Sequence, residues 1–488
     1  MNKSKVISSL IYKFAERFSV KAIGLVISLI LARLLDPEHF GQVAIVTVFV
    51  NLSLTLVDGG LGSALVQSKS VDEDDYTTVL WIFMPVAVVM VILLYFVSPL
   101  VAKFYESPGI IGPLRFYSLS LLVNAFAAVQ SAKVQREMRF DQQMKCSLIA
   151  TVLSGTMGVL FAYRGAGIWA LVIYYFSNTL FNCLIMLTML RWIPRGRFSL
   201  ASAKRLYSFG LRMLGSSLLT TLYNDIRPLI IGKRFSTEDL GYYDRGHQFS
   251  SIIALNIDNA VTSVMFPVFS QLQDDKEQMI STLRRAMTVN AMLIFPAMLG
   301  MAAAAEPAVR LLLTDKWLPS VIFVQILCIG QAQVPITTTN LVVLKSLGRS
   351  DIYIRQEIVR RIAMLIVLLI SVFVFKSTVA IACGFTFSAW LDAFITSLPL
   401  KKLLGYGFKD ELRDLWKLAL ASVVMALAVG VVNLLPLSML MKLVVQIAGG
   451  VVIYAGLCRI LKAESFMYVL NILGSFLRGR GKESSGEQ

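Results

Sequence analysis

The chain contains 488 residues, of which 56% are hydrophobic and only 16% are charged, and its formal net charge is +16. Charged residues make up about a quarter of an ordinary globular chain, so this composition excludes a soluble globular protein. The basic residues form no face with interleaved aromatic residues, which argues against nucleic-acid binding. They separate apolar runs of about 18–25 residues, the length that crosses a bilayer.

In chain order, these runs predict an all-α integral membrane protein with about fourteen transmembrane helices. Six helices are predicted at about 12–35, 41–66, 77–98, 112–131, 145–163 and 167–190. Six more are predicted at about 208–232, 241–268, 284–305, 320–344, 358–375 and 378–399. Two further helices follow at about 417–435 and 440–461.

The second six helices repeat the first six. Residues 31–41 align without a gap on residues 231–241, with Glu38 and Gly41 matched by Glu238 and Gly241. Because six is an even number, both units enter the membrane from the same side, which predicts parallel repeats with a cavity between them. The predicted domains are an N-terminal six-helix lobe (1–190), a basic cytoplasmic linker (191–207), a C-terminal six-helix lobe (208–400), two additional transmembrane helices (401–465) and a cytoplasmic tail (466–488).

The distribution of Lys and Arg predicts the orientation of the chain. One set of predicted loops and ends carries roughly thirty of these residues and the opposite set about nine, and the richer set faces the cytoplasm. Both termini of this multi-pass membrane protein are therefore expected in the cytoplasm.

The predicted seventh helix carries Asn224, Asp225 and Arg227 within an apolar segment. An ionisable group at the bilayer centre costs about 2.5–3.5 kcal/mol on insertion scales, so each one requires a reason. Residues two apart on a helix point in different directions, so Asp225 and Arg227 do not simply neutralise one another. This spacing favours a hydrated cavity, although contacts inside the helix bundle are the alternative. We expect Asp225, with Asn224, to act in ion coupling or gating.

Asp58 is a second candidate for coupling or gating. It lies late in the predicted second helix, next to Gly59, Gly60 and Gly62, which predict a bent helix with a loosened backbone. A capping role for its carboxylate explains the same pattern as well as a functional role does.

The sequence contains no catalytic motif of the Walker A, GxSxG or HExxH type. The predicted outer loops are too short to form a domain, which argues against a membrane glycan polymerase. His39 and His247 have no partner at metal-ligand spacing, so no metal or cofactor is expected. The chain is therefore expected not to be an enzyme.

Five motifs in order resemble the polysaccharide flippases of the multidrug/oligosaccharidyl-lipid/polysaccharide exporter superfamily, particularly the branch of colanic acid, teichuronic acid and lipopolysaccharide biosynthesis exporters. The first half carries LARLLDPEHFGQVAIV (31–46) and LVDGGLGSALVQSKSVDEDD (56–75). The second half carries IIGKRFSTEDLGYYDRG (230–246), MFPVFSQLQDD (265–275) and LLTDKWLPSVIFVQIL (312–327).

This resemblance implies a V-shaped bundle of two lobes that opens alternately to either side of the membrane. The implied substrate is an oligosaccharide repeat unit on a polyprenyl pyrophosphate, moved to the outer leaflet for surface polysaccharide synthesis. It also implies cationic residues that bind the pyrophosphate: Arg227 first, then Arg17, Lys21 and Arg115. For Lys21 and Arg115, which lie near helix ends, a structural pair or a contact with the membrane interface is the alternative.

The expected partners are the lipid-linked oligosaccharide, membrane lipids, and the glycan polymerase and glycosyltransferases of the same pathway, and the chain is expected to be a monomer. A drug/cation antiporter of the same superfamily is one alternative, against which the two C-terminal helices argue. A lipid II flippase is another, although its helix 1 and loop motifs differ from these.

Overall fold

Apolar segments of this length satisfy their backbone hydrogen bonds in a bilayer by forming helices, and the chain folds in this way. The computed structural model describes residues 3–469, apart from the side chains of residues 3–18, 208, 209, 212, 260 and 350. No β-strand occurs within the described residues. The predicted all-α membrane fold is confirmed, whereas the count of fourteen transmembrane helices and the internal repeat stay predictions.

The chain divides into two compact units, residues 1–244 and 245–488. The described part of the first unit holds nine α-helices and the start of a tenth. Their bounds are α1 Lys3–Leu34, α2 Pro37–Asp58, α3 Leu61–Gln67, α4 Glu73–Phe104, α5 Ile111–Ser118, α6 Ser120–Glu137, α7 Phe140–Tyr163, α8 Ile168–Leu190, α9 Leu200–Arg234 and α10 Thr237–Gln271.

Up to residue 469, the second unit holds the remainder of α10 and eight further α-helices. Their bounds are α11 Lys276–Ala303, α12 Ala305–Leu312, α13 Val321–Gln331, α14 Val334–Ser346, α15 Ser350–Ile370, α16 Thr378–Leu404, α17 Phe408–Val431 and α18 Met439–Ile460. In this unit α11 packs on α13, α14 and α17, and α16 packs on α13 and α15. The predicted lobe boundaries at 190, 208 and 400 stay predictions.

Twelve helical segments of the described chain are long and apolar enough to cross a membrane. The helices α1 and α9 are not among them, although they contain 32 and 35 residues. These two helices begin the two predicted repeats, and they carry most of the charged candidate residues, including Lys21, Asp225 and Arg227. The charged residues of α1 and α9 thus distinguish these two helices from the twelve more apolar segments.

Several predicted helices are interrupted. The predicted helix at 41–66 is divided into α2 and α3 by Gly59 and Gly60, whose φ angles are 51° and 74°. Only glycine adopts such angles without a steric penalty, so the bend predicted from these glycines is confirmed. The predicted helices at 112–131 and 320–344 are likewise divided, into α5 with α6 and α13 with α14.

The linker before α9 lies along the first turns of α4. The backbone N–H of Gly196 donates to the hydroxyl of Thr77 (2.9 Å), and that of Arg197 donates to the carboxylate of Asp74 (2.7 Å). The guanidinium of Arg205 donates to both carboxylate oxygens of Asp75, at 2.5 and 2.6 Å. The acidic residues at the start of α4 thus hold the basic linker in place.

The helices α2 and α9 run antiparallel within the first unit. Gly210 lies against Leu61 beyond the end of α2, Thr221 hydrogen-bonds Thr55, and Gly232 packs on Ile45. The start of α10 then crosses the start of α2. A Cβ atom on Gly41 would lie 1.6 Å from the carbonyl oxygen of Thr237, and one on Gly241 would lie 2.0 Å from that of Pro37. The two backbones approach this closely only because both crossing residues are glycine.

Candidate functional site

The polar segment of α9, residues 224–227, lies beside α2. The Oγ1 atoms of Thr55 and Thr221 are 3.1 Å apart, one turn before this segment, and Gly232 contacts Ile45 beyond it. Arg227 is seven residues from the end of α9, which corresponds to about 10 Å along the helix axis. The segment therefore lies away from both ends of α9.

The three polar residues of this segment have different environments. Asn224 is exposed, Asp225 is half-buried, and Arg227 is only 8% exposed. These differences in exposure follow from the helical rotation of about 100° per residue, which points positions 225 and 227 to different neighbours. The prediction that the two charges do not form a simple local pair agrees with this geometry.

Arg227 lies against Tyr243 of α10. Tyr243 is 2% exposed, and its hydroxyl interacts electrostatically with the Arg227 guanidinium. A guanidinium at a buried position favours an anionic group beside it, because little water is available to solvate its charge. Tyr243 could not be predicted from the sequence as a neighbour of Arg227, because the two residues lie on different helices.

Pro228 lies inside α9, directly after Arg227. Proline has no N–H group, so the carbonyl of the residue four positions earlier, Asn224, lacks its usual helical donor. This carbonyl belongs to the residue directly before Asp225. The segment thus combines the buried guanidinium of Arg227 with a backbone oxygen that lacks its helical donor one turn earlier.

The other predicted cationic residues lie on α1 and α5. Lys21 is exposed on α1, and the side chain of Arg17 lies outside the described residues. Arg115 of α5 is bound to α4: its Nε donates to Ser98 Oγ (2.9 Å) and to the carbonyl of Tyr95 (3.2 Å), and its guanidinium stacks 4.0 Å over the Tyr95 ring. Through these contacts Arg115 connects α5 to α4 within the first unit.

Asp58 ends α2, and its carboxylate lies against the first turn of α3. The backbone N–H groups of Gly60 and Gly62 donate to it, and a Cβ on Gly62 would lie 2.7 Å from its Oδ1 atom. The carboxylate therefore satisfies N–H groups that have no helical partner at the start of α3. This is the capping role that the glycine pattern left open.

A second buried carboxylate lies in the second unit. Asp258 of α10 is 6% exposed, and its Oδ1 accepts hydrogen bonds from Asn290 of α11 (3.1 Å) and Thr338 of α14 (2.5 Å). Both donors are neutral, and the Oδ1 atom of the fully buried Asn290 has no hydrogen-bond partner. We refer to these three residues as the Asp258 cluster. The sequence marks Asp258 as an intramembrane acid, but its partners lie 32 and 80 residues away along the chain.

Asp392, another intramembrane acid, has a charged partner. The Nη2 atom of Arg360 donates to Asp392 Oδ2 at 2.6 Å, and Nε donates to Oδ1, which joins α15 to α16. Glu357 accepts a further hydrogen bond from Arg360 at 3.1 Å. A bidentate pair with an additional acceptor is a structural connection between two helices.

The profile of the polysaccharide biosynthesis protein family matches residues 30–322, which is more than half of the chain. The chain belongs to this family. The matched region contains α2 to α11, and so both the polar segment of α9 and Asp258. The resemblance predicted from the five motifs is confirmed.

Two relatives illustrate the family. The succinoglycan biosynthesis transport protein ExoT of Rhizobium meliloti is 28% identical over 334 residues, which is 68% of each chain. The lipopolysaccharide biosynthesis protein WzxC of Escherichia coli is 24% identical over 440 residues, which is 88% of each chain. The chain is thus a multi-pass membrane protein whose relatives serve polysaccharide transport and biosynthesis.

Among solved structures, the lipid II flippase MurJ in an inward closed conformation is similar to this chain. The alignment has a TM-score of 0.74 and covers 93% of this chain and 99% of MurJ, at 15% sequence identity. At that identity the similarity establishes the fold, and it does not identify the residues of this chain that bind a substrate.

Proposed function

We propose that this protein is an alternating-access flippase. It moves polyprenyl-pyrophosphate-linked oligosaccharide repeat units from the cytoplasmic to the outer leaflet of the bacterial inner membrane, for surface polysaccharide synthesis. The family match over residues 30–322 carries this proposal. The buried guanidinium of Arg227 supports it, because a pyrophosphate that crosses hydrocarbon needs a positively charged path.

The proposed protein is a transporter without catalytic activity. Its sequence lacks the nucleotide-binding and hydrolase motifs, and ExoT is itself a transport protein. The count of basic residues supports an orientation with both termini in the cytoplasm. We further propose that it works as a monomer beside the glycan polymerase and glycosyltransferases of its pathway.

Arg227 is the proposed contact for the pyrophosphate, and Arg17, Lys21 and Arg115 are secondary candidates. Arginine binds two oxygens of a phosphate at once, whereas lysine acts as a point charge. We therefore expect Arg227→Ala to abolish export at normal membrane abundance. Arg227→Lys should retain part of the activity, because the charge survives and the fork geometry is lost.

The matched control is Arg234→Ala, which removes an exposed arginine two turns further along the same helix. The measurement is the amount of surface polysaccharide in a strain that lacks its own flippase, normalised to the amount of protein in the membrane. Normal export by Arg227→Ala would remove Arg227 from the site. Equal losses for Arg227→Ala and Arg234→Ala would show a general effect of charge on α9.

Asp225 is the proposed coupling or gating residue, with Asn224 beside it. Asp225→Asn preserves the shape of the side chain and removes its charge, so it should slow flipping and weaken its dependence on imposed H⁺ or Na⁺ gradients. The assay is the flipping rate of a fluorescent lipid-linked oligosaccharide in vesicles. Asp258→Asn is the informative comparison, because Asp258 is a buried intramembrane carboxylate whose hydrogen-bond donors, Asn290 and Thr338, are neutral.

The two variants give distinguishable outcomes. A gradient response that Asp225→Asn loses and Asp258→Asn retains supports the proposal. The reverse result would assign coupling to the Asp258 cluster and leave Asp225 as a structural contact. The same vesicles test the alternative functions, since transport of lipid II or of a drug cation, without transport of the oligosaccharide lipid, would replace the proposed substrate.

A further inference from the structure

A cavity of about 620 Å³ opens at one end of the second unit. It lies between the N-terminal parts of α11 and α17 and residues 463–468, which follow α18. This volume falls within the range of about 300–1,000 Å³ that is usual for small-ligand sites. The basic residues around it place it on the side predicted to face the cytoplasm.

The charges that line this cavity favour an anion. Four basic residues and two acidic residues line it, which leaves a net charge of +2. The basic residues are Arg284, Arg285, Arg413 and Lys417, and the acidic residues are Asp414 and Glu464.

Two of the guanidinium groups are held in fixed positions. Arg284 donates to both carboxylate oxygens of Asp414, at 2.7 and 2.6 Å, and Arg285 lies 4.6 Å from the ring centroid of Tyr468. The hydroxyl of Tyr406 also donates to Asp414 (2.6 Å), which orients that carboxylate. Arginine side chains that are already ordered lose less entropy when they bind a phosphate.

The cavity continues into an apolar surface on α17. Trp416 lines the cavity and is 50% exposed, and Leu412, Leu420, Val423 and Leu427 are exposed at helical spacing on either side of it. We call these five residues the α17 stripe. Because α17 is apolar enough to cross a membrane, this stripe is suited to contact acyl chains, with Trp416 at the level of the headgroups.

We propose that this cavity binds the phosphate headgroup of an anionic phospholipid, with the acyl chains along the α17 stripe. Basic pockets between transmembrane helices on the cytoplasmic side recognise such headgroups. The stripe distinguishes a lipid from a soluble phosphate, which has no apolar part to bury. This proposal does not depend on which substrate the protein transports.

The test is native mass spectrometry of the purified full-length protein, titrated with phosphatidylglycerol, with phosphatidylethanolamine as the neutral comparison. The variant replaces three residues of the cavity: Arg285→Gln, Arg413→Gln and Lys417→Gln. Arg284 is retained, because it pairs with Asp414 and its replacement would also remove that contact between α11 and α17. The control replaces three exposed lysines that do not line the cavity: Lys276→Gln, Lys401→Gln and Lys409→Gln.

Each basic residue near an anionic headgroup strengthens the binding of that lipid. The cavity variant, which lacks three of them, should therefore bind phosphatidylglycerol at least about tenfold more weakly. The control should bind like the unchanged protein, with a matching melting temperature for all three proteins. Equal weakening in the control would reduce the effect to general surface charge and overturn the proposal. Equal binding of both lipids, or inorganic pyrophosphate binding as tightly as the lipid, would overturn it as well.

Discussion

Replacing Gly41 by alanine tests the close crossing of α2 and α10. The added methyl group would lie 1.6 Å from the carbonyl oxygen of Thr237. A carbon–oxygen contact normally needs about 3.3 Å, so the two backbones must separate by roughly 1.5–2 Å. Because the obstructing atom belongs to a backbone, no side-chain rotation relieves the contact.

The energetic consequence follows from overpacking. Such insertions cost about 1–3 kcal/mol in a well-packed region. A free-energy difference of this size changes the ratio of closed to separated crossings by about 5–150-fold. Gly241→Ala should act in the same way, since its methyl group would lie 2.0 Å from the carbonyl oxygen of Pro37. Once one substitution has separated the helices, the second should cost little, so the double variant should resemble either single variant.

The assay is the distance between spin labels at Glu38→Cys and Glu238→Cys, two exposed positions beside the crossing. The native cysteine that is exposed, Cys383, is replaced by serine, while the other four are buried. We expect a second, longer distance population in the Gly41→Ala protein.

Gly215→Ala is the control for this experiment, because nothing lies within 4 Å of a Cβ atom at that position of α9. Its distance distribution should be unchanged. If Gly41→Ala also leaves the distances and the melting temperature unchanged, the close crossing is not populated and the reasoning fails.

Two further predictions concern topology and helix docking. A reporter fused after Lys316 should lie in the periplasm and one fused after Arg349 in the cytoplasm, because α13 and α14 form one membrane-length segment between these residues. Two reporters on the same side of the membrane would contradict the predicted orientation. A double-mutant cycle of Arg284→Ala and Asp414→Ala, measured by thermal unfolding, should give a coupling free energy of roughly 0.5–1 kcal/mol. This value reflects a bidentate pair whose arginine side chain is 52% exposed, and additive effects of the two substitutions would show that the pair does not dock α11 on α17.

Much of the architecture could be read from local sequence. Apolar segments of membrane length predict helices, because a helix satisfies its backbone hydrogen bonds within the segment. The bend at Gly59 and Gly60 was also predictable from local sequence, since positive φ angles are a property of single residues. The spacing of Asp225 and Arg227 likewise predicted that they face different neighbours, because helical rotation is fixed by the backbone.

The tertiary structure decided which side chains each polar residue contacts. Arg115 is bound by Ser98 and by the backbone of Tyr95, and the partners of Asp258 are Asn290 and Thr338. A charge pattern along one helix does not contain this information, because it depends on how each helix is rotated against helices that are distant in the sequence.

Gly41 and Gly241 illustrate both what the sequence predicts and what only the packed structure shows. Their equivalence is visible in the aligned segments 31–41 and 231–241, and it indicated a repeat. Only the packed structure shows that each glycine lies against the backbone of the other segment, next to Thr237 and Pro37. The sequence determines where helices begin and bend, since those preferences are local, whereas close contacts between helices arise from packing that no single segment encodes.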